Sequence, residues 1–298
     1  SQQPVVDLGT GLLGLSLVID KTAPELGLEG VQNGFATNGD VTVSVPESGL
    51  TVRLYKDGEL VGNYESGTSF TEEGSYRITA TDAAGNVTEV SFTIDKSVDF
   101  AADIYNNAIV NSMTFTAGEN LTVSVTKDGE AVAYKFGDTL TAAGNYTATL
   151  TDELGNSKTF SFTIAEPLVQ KFFHNFDNVS GLDKVSVNGE ETRLNYGDLT
   201  LDKSGTYEIA VTVNGKDYTF TVTVDSTAPA ITLTGVENNG STKGGVTLSD
   251  LTEKATVEVY KDGEKIEYTL GDELTEVGQY RIVLTDELGN SAEYTFEI

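Results

Sequence analysis

The sequence contains no cysteine and no tryptophan, and it has one histidine and one methionine among its 298 residues. Without cysteine the chain forms no disulfide and offers no thiol nucleophile or thiolate ligand. A histidine-dependent triad has only His174 to use, and His174 lies in an aromatic, strand-like stretch. The G-x-S-x-G, P-loop, HExxH and EF-hand patterns are missing as well. We therefore expect no enzymatic activity.

Basic residues are scarce too. Lysine and arginine total 18 against 46 aspartates and glutamates, which gives a net charge of −28. A surface this acidic repels phosphates, which argues against nucleic-acid binding and against docking on anionic membranes. The longest apolar run, residues 11–19, is too short to span a bilayer, and no basic region precedes it as in a signal peptide. We expect a mature or excised fragment that is monomeric and has no membrane-inserted segment.

Threonine, valine and glycine are abundant, which favours β structure, and several short sequences recur. TDELGN occurs at 151–156 and 285–290, with the variant TDAAGN at 81–86. A KDGE turn stands at 56–59, 127–130 and 261–264, and VNGE at 187–190 fills the matching position in a weaker copy. The tyrosines of four Gly-x-Tyr motifs follow at spacings of 70, 61 and 73 residues, at Tyr76, Tyr146, Tyr207 and Tyr280. The chain therefore contains four copies of one unit.

The junctions between copies repeat as well, because IDKTAP at 19–24 resembles VDSTAP at 224–229. We place the modules at 20–95, 96–166, 167–225 and 226–298, with 1–19 as a linker or the last strand of a preceding module. Within a module the apolar residues alternate with period two, and turn signals return every 8–12 residues, which is typical of an all-β sandwich or barrel. KDGE predicts a tight hairpin turn in which glycine supplies the positive φ. TDELGN predicts the loop of the hairpin that closes each module.

The Glu-x-Gly-x-Tyr-x-Ile motifs at 72–78 and 276–282 resemble the tyrosine corner of immunoglobulin-like sandwiches. Together with the TAP openings, KDGE turns and TDxxGN loops, they resemble the tandem Ig-like repeats of Gram-positive surface and secreted proteins. The resemblance covers nearly the whole chain and is weakest in copy three. It implies an elongated, all-β array of four small Ig-like antiparallel β-sandwiches, with Tyr76, Tyr146, Tyr207 and Tyr280 in structural roles.

Calcium is the one metal that the sequence favours, since carboxylates and backbone carbonyls at module junctions supply the hard oxygens it prefers. The junction acids are Asp20, Asp95 and Asp225, and the closing hairpins add further aspartates at 82, 152 and 286. The alternative is that these acids are solvated turn and linker residues. Lys–Asn isopeptide crosslinks, found in some Gram-positive surface domains, are a further alternative, although lysine and asparagine here stand mostly in turns.

Copy three is the shortest copy and has lost the KDGE and TDxxGN spellings. Its opening holds four aromatic side chains within five positions, Phe172, Phe173, His174 and Phe176. Alternation places Phe173 on the opposite face from the other three. One interpretation is that the aromatics fill a trimmed core or pack on copy two. The other is an exposed patch that binds a partner or a glycan.

Two function classes remain. The first is an extracellular stalk, spacer or adhesin segment, secreted or attached to a cell wall, that holds a neighbouring domain away from the cell surface. Four modules of ~30–40 Å placed end to end would reach roughly 120–160 Å. The second is an array that binds a carbohydrate or a host surface protein. The lack of tryptophan weighs against sugar binding, whereas 13 tyrosines and 13 phenylalanines leave it open.

Overall fold

The computed structural model describes residues 19–100, 102–116 and 120–298, and β-strands are the only regular elements in these ranges. This confirms the all-β prediction, which rested on composition and on alternation. In the same ranges no helix is long and apolar enough to cross a membrane. The strand predicted at 11–19 falls outside the described residues except for Ile19.

Repeat 1, residues 20–95, folds into two sheets. Its strands are β1 Gly27–Glu29, β2 Ala36–Thr37, β3 Val41–Ser44, β4 Thr51–Lys56, β5 Glu59–Asn63, β6 Ser69–Phe70, β7 Gly74–Thr81 and β8 Val87–Ile94. One sheet has the order β2-β8-β7-β4-β5 and the other β1-β3-β6. Strand β2 runs parallel to β8, whereas the other pairs are antiparallel.

Repeat 2, residues 96–166, keeps the five-stranded sheet. Its strands are β9 Ala108–Val110, β10 Met113–Thr114, β11 Thr122–Lys127, β12 Glu130–Val132, β13 Thr139–Leu140, β14 Gly144–Thr151 and β15 Ser157–Ile164. The larger sheet has the order β12-β11-β14-β15-β9, and β10 pairs with β13. Strand β9 is parallel to β15, as β2 is to β8 in repeat 1.

Repeat 3, residues 167–225, has the same plan on a shorter chain. Its strands are β16 Leu168–Val169, β17 Phe172–Asn175, β18 Leu182–Val187, β19 Glu190–Glu191, β20 Asp198–Leu201, β21 Gly205–Val213 and β22 Lys216–Val224. The larger sheet has the order β16-β22-β21-β18-β19, and β17 pairs with β20. The aromatic opening of the copy is therefore strand β17, in the smaller sheet.

Repeat 4, residues 226–298, matches repeat 1 strand for strand. Its strands are β23 Thr232–Thr234, β24 Gly240–Ser241, β25 Val246–Ser249, β26 Ala255–Lys261, β27 Glu264–Ile266, β28 Glu273–Leu274, β29 Gln279–Asp286 and β30 Ser291–Glu297. The sheets have the orders β24-β30-β29-β26-β27 and β23-β25-β28.

The two sheets of a repeat enclose one apolar core. In repeat 1, Val41 and Val43 of the smaller sheet pack with Ile78 and Phe92 of the larger sheet, and all four are buried. In repeat 4 the equivalent valine and isoleucine, Val246 and Ile282, are fully buried. A five-stranded sheet whose first strand runs parallel to its last, facing an antiparallel smaller sheet, is an immunoglobulin-like sandwich. The fold prediction is confirmed on this strand order.

The KDGE turns have the backbone that the sequence predicts. Asp57 and Gly58 both have positive φ, 53° and 86°, and Asp262 and Gly263 repeat these values at 53° and 87°. Positive φ at both central residues defines a type I′ turn, whose twist matches that of the flanking strands. The weaker copy uses Asn188 in the same way, at φ 51°.

Each Gly-x-Tyr tyrosine donates its hydroxyl hydrogen to the carbonyl oxygen four residues earlier. The distances are 2.9 Å for Tyr76, 2.7 Å for Tyr146, 2.9 Å for Tyr207 and 2.9 Å for Tyr280. Burial raises the pKa of Tyr146 and of Tyr280, so both hydroxyls stay protonated as donors. The bond closes the turn before the central strand of the larger sheet.

The described residues group into two compact units. The first contains 19–100, 120–124 and 149–159, which is the sandwich of repeat 1 with the closing hairpin of repeat 2. The second contains 102–116, 125–148 and 160–298, which includes repeats 3 and 4 entirely. The features of the next subsection each lie within one unit.

Candidate functional site

The hexapeptide TDAAGN forms a loop that is closed by its own Asp and Asn. The carboxylate Oδ1 of Asp82 accepts the backbone N–H groups of Ala84 and Asn86 at 2.9 Å each. The side-chain amide of Asn86 donates to the other carboxylate oxygen of Asp82 at 2.8 Å. The hydrogen bond from Asn86 holds the pKa of Asp82 below its usual range, so the carboxylate stays ionised.

The same asparagine amide also reaches outside its loop, to the residue where the chain enters the repeat. Asn86 donates to the carbonyl oxygen of Asp20 at 3.2 Å. Asn156 donates to the carbonyl oxygen of Asp95 at 2.9 Å, and Asn290 to that of Asp225 at 2.8 Å. Three copies of the hexapeptide therefore form the same clamp on the incoming chain. We call this bond the Asn clamp.

Two of the clamped aspartates are also bonded to the repeat that they leave. The N–H of Asp95 donates to the carbonyl oxygen of Thr37 in repeat 1 at 2.9 Å. The N–H of Asp225 donates to the carbonyl oxygen of Val169 in repeat 3, also at 2.9 Å. Because their carbonyl oxygens accept from the next repeat, Asp95 and Asp225 each bridge two repeats through one residue. These junctions contain no free linker residue between the two anchoring bonds.

A second amide reinforces each junction from the end of the edge strand that runs parallel to the closing strand. Asn38 follows β2 and donates to the carbonyl oxygen of Leu154 in the hairpin of repeat 2 at 2.7 Å. Gln170 follows β16 and donates to Oδ1 of Asn290 at 2.8 Å, so it bonds to the clamp residue itself. The residue at this position in repeat 2 is Asn111.

Asn111 joins repeats 2 and 3, where the TDxxGN loop is missing. Its side chain accepts from the N–H of Thr221 and donates to the carbonyl oxygen of Thr221, both at 2.7 Å. In repeats 1, 2 and 4 the matching strand position is bonded by an asparagine of the same repeat, at 2.8–2.9 Å: Asn33 to Ser91, Asn106 to Ser161 and Asn238 to Thr295. Repeat 3 instead takes this asparagine from repeat 2.

Further contacts seal the junction of repeats 2 and 3. The rings of Tyr105 and Tyr218 pack edge to face with centroids 4.9 Å apart, and Asp103 forms an ion pair with Lys216. Burial raises the pKa of Tyr105 to about 12. Rings packed in this geometry contribute beyond their buried area, whereas the exposed ion pair contributes little. Side chains of repeat 2 therefore contact side chains of repeat 3 directly at this junction.

The acids predicted to bind calcium occupy two kinds of environment. Asp20, Asp95 and Asp225 each accept the backbone N–H two residues later, at 2.9, 3.1 and 3.0 Å, as turn-forming aspartates do. Asp225 also lies with Glu253 and Asp286 in a group whose carboxylate oxygens are within 4.8 Å of one another. Among the described residues this is the one such group. Calcium binding at Asp20, Asp95 and Asp225 stays a prediction, and neither Asp20 nor Asp95 belongs to a group of three or more such residues in the described chain.

Burial, and then the charges of Asp225 and Asp286, raise the pKa of Glu253. Three carboxylates this close repel one another, and a divalent cation would relieve the repulsion. The sequence did not identify Glu253 as a candidate ligand, because this residue stands in an ordinary turn, LTEK, outside every repeated motif. Only the folded chain brings it to the junction.

The aromatic residues of repeat 3 divide as alternation predicts. Phe172 and Phe176 are buried, and Phe176 packs edge to face on His174 with ring centroids 4.5 Å apart. His174 is half-buried, and burial lowers its pKa. Phe173 points the other way and is 59% exposed. Two of the four predicted binding residues are thus core residues, and two remain accessible. Whether either binds a ligand stays a prediction.

No family model matches the sequence. An outer cell wall protein of Brevibacillus brevis is 40% identical over 77 residues, which is 26% of this chain and 8% of that protein. The chain is also similar to the insect immune protein hemolin, with 12% identity, a TM-score of 0.26, and coverage of 93% of this chain and 99% of hemolin. A 1.5-MDa bacterial ice-binding adhesin gives 13% identity, a TM-score of 0.27 and coverage of 93% and 97%. Since these scores are low, the fold assignment rests on the strand order.

Proposed function

We propose that this chain is a non-catalytic, extracellular spacer segment that holds a neighbouring domain away from a cell wall. The observation that carries the proposal is the single-residue junction. The backbone N–H of Asp95 and of Asp225 donates to the preceding repeat, and the carbonyl oxygen of the same residue accepts from the next repeat. No flexible residue therefore separates the two repeats at these junctions. A linker with free residues would behave as a flexible coil and would not keep a fixed distance.

The junctions also suit a spacer because each is held by more than one bond. At the junction of repeats 3 and 4, Gln170 bonds to Asn290 while Asn290 bonds to Asp225. Both bonds are partly buried, and one intramolecular hydrogen bond contributes about 0.5–1.5 kcal/mol, so two at one junction favour a fixed orientation over a freely rotating one. The cell-wall part of the proposal is supported by the short match to the outer cell wall protein. We also propose a Gram-positive origin, and the resemblance of the repeats supports it.

Small-angle X-ray scattering of the whole chain tests the proposal. A spacer of four repeats is expected to show a maximum dimension of roughly 120–160 Å that changes little with salt. Replacing both Asn156 and Asn290 by alanine is expected to broaden the distance distribution, because two clamps are lost. The matched control is Asn86→Ala, which removes the same loop bonds at the entry to repeat 1, outside the three junctions between repeats. A compact wild-type particle, or a broad distribution already present in the wild type, would refute the spacer role.

A further inference from the structure

A cleft of about 530 Å³ lies between repeats 2 and 3, inside the second unit. Its repeat 2 wall contains Asp128 of the KDGE turn and Asn145 of the Gly-x-Tyr motif. Its repeat 3 wall contains His174 and Asn178. A volume of this size falls within the range of small-ligand sites in proteins.

Polar groups in the cleft are left without partners inside the protein. Within the described part of the chain, neither ring nitrogen of His174 and neither side-chain atom of the Asn178 amide forms a hydrogen bond, whereas the backbone carbonyl of Asn178 accepts from Asn107 at 3.1 Å. His174 is half-buried, and burial favours its neutral form, which offers one donor and one acceptor. The amide of Asn178 likewise offers both donors and an acceptor.

An exposed aromatic ring borders this cleft. A second cleft of about 390 Å³ shares Asp128, Asn145 and His174 with the first and is lined in addition by Phe173. Phe173 is 59% exposed, so its ring is accessible beside the hydrogen-bonding groups. An apolar ring next to neutral donors and acceptors matches a ligand that has both an apolar face and many hydroxyl groups.

The walls of the cleft are held in place by the junction of repeats 2 and 3. Asn111 forms three hydrogen bonds with Thr221, and Tyr105 packs against Tyr218. When the two halves of a site are already fixed, ligand binding orders few additional side chains, so the entropic cost of binding is small. The asparagine that bonds to Thr221 of repeat 3 belongs to repeat 2, so these hydrogen bonds connect the two walls of the cleft.

From these observations we propose that the two adjoining clefts between repeats 2 and 3 bind a neutral oligosaccharide, with Phe173 stacking on one sugar ring in the smaller cleft and His174 and Asn178 hydrogen-bonding the hydroxyls of a neighbouring sugar in the larger cleft. A polyanionic glycan is disfavoured because the chain carries a charge of −28 and Asp128 lines the cleft. This activity goes beyond the spacer role and does not depend on it.

Titration calorimetry of the whole chain tests the site with three neutral probes, which are the hexamers of chitin, cellulose and maltose, and with oligogalacturonate as an anionic comparison. We expect saturable binding of at least one neutral probe and none of the anionic probe. Phe173→Ala should weaken binding by about tenfold or more, because the stacking surface is lost. Asn178→Ala should weaken it as well, and this change breaks no bond within the described structure, so it keeps the test valid if His174→Ala unfolds the repeat.

The matched control is Phe35→Ala in repeat 1, because Phe35 has a similar exposure of 62%. Binding should be unchanged in this variant. Three results would overturn the inference: no binding of any neutral probe, equal binding by wild type, Phe173→Ala and Asn178→Ala, or preferred binding of the anionic probe. None of these results bears on the scattering experiment, so failure of the binding site and failure of the spacer role are distinguishable.

Discussion

The side-chain amide of Asn290 donates a 2.8 Å hydrogen bond to the backbone carbonyl oxygen of Asp225, 65 residues earlier in the chain. One of these residues lies in a hairpin loop of repeat 4, and the other is the last residue of repeat 3. The same contact occurs in all three copies of the hexapeptide, which gives the repeated motif a structural role. The aspartate shapes the loop, and the asparagine holds the chain that enters the repeat.

Loss of the Asn111 amide is expected to destabilise repeats 2 and 3 together. Asn111→Ala removes three hydrogen bonds to Thr221, two of them at 2.7 Å and one at 3.3 Å, and should lower the free energy of unfolding by about 1–3 kcal/mol. Chemical denaturation followed by circular dichroism measures the change. Asn33→Ala is the control, because Asn33 makes the corresponding bond within one repeat. If both substitutions lowered the free energy of unfolding of repeat 3 equally, the result would contradict the idea that repeat 3 depends on an asparagine of repeat 2.

The tyrosine hydroxyls are expected to contribute unequally. Tyr280→Phe removes the bond to Glu276 from a side chain that is only 3% exposed, and should cost about 0.5–1.5 kcal/mol. Tyr207→Phe should cost less, because the bond of Tyr207 to Lys203 lies in an exposed place where water can replace it. Thermal unfolding of the two variants compares them. A larger loss at Tyr207 would show that the bond in the exposed corner is the stronger one.

The acidic group at the junction of repeats 3 and 4 gives a pH dependence of definite sign. The pKa of Glu253 is raised in the folded state, so its ionisation opposes folding above that pKa, and the penalty disappears below the unfolded value near 4. Glu253→Gln should therefore raise the melting temperature at pH 7 in the presence of chelator and have no effect near pH 3. A lower melting temperature at pH 7 in chelator would contradict the repulsion among the three carboxylates.

The ionisation of Asp82 changes the stability of the fold in the opposite direction from that of Glu253. The hydrogen bond from Asn86 lowers its pKa, so its ionised form stabilises the fold above the unfolded pKa, near 4. That contribution is lost as pH falls through the lower, folded pKa. Asp82→Asn is expected to reduce the melting temperature at pH 7 and to make little difference in strong acid. A pH-independent effect would show that the carboxylate charge is not what closes the loop.

Calcium binding predicts a different response of the same junction. The melting temperature of the wild type should rise with calcium by more than that of Glu253→Gln, because the substitution removes one of three carboxylate ligands. Magnesium and sodium chloride at matched ionic strength are the controls. Equal rises with all three salts, in both proteins, would leave screening of the −28 charge as the cause.

Local signals in the sequence predicted the fold well. The type I′ turns at Asp57 and Asp262 follow from KDGE, and the buried positions of Ile78 and Ile282 follow from period-two alternation. Alternation also separated Phe173 from its three neighbours. These features depend on residues that are close in sequence, where propensity and periodicity apply.

The junctions could not be predicted in the same way. The bonds of Asn111 to Thr221 and of Asn290 to Asp225 join residues 110 and 65 positions apart, and no local pattern fixes which amide meets which carbonyl. One signal was present in the sequence: an amide residue, Asn38, Asn111 or Gln170, directly follows the same edge strand in repeats 1, 2 and 3. Its meaning requires the strand order, because that order places this residue beside the next repeat.

Pulsed electron resonance across the junction of repeats 3 and 4 tests the central claim most directly. Because the chain has no cysteine, Glu191→Cys and Glu264→Cys introduce unique spin-label sites on exposed strands of the two repeats. The single-residue junction predicts one narrow distance distribution, which Asn290→Ala broadens and Asn86→Ala leaves unchanged. A broad distribution in the otherwise unmodified chain, or one that does not respond to Asn290→Ala, would show that Asp225 is a flexible linker and would contradict the account.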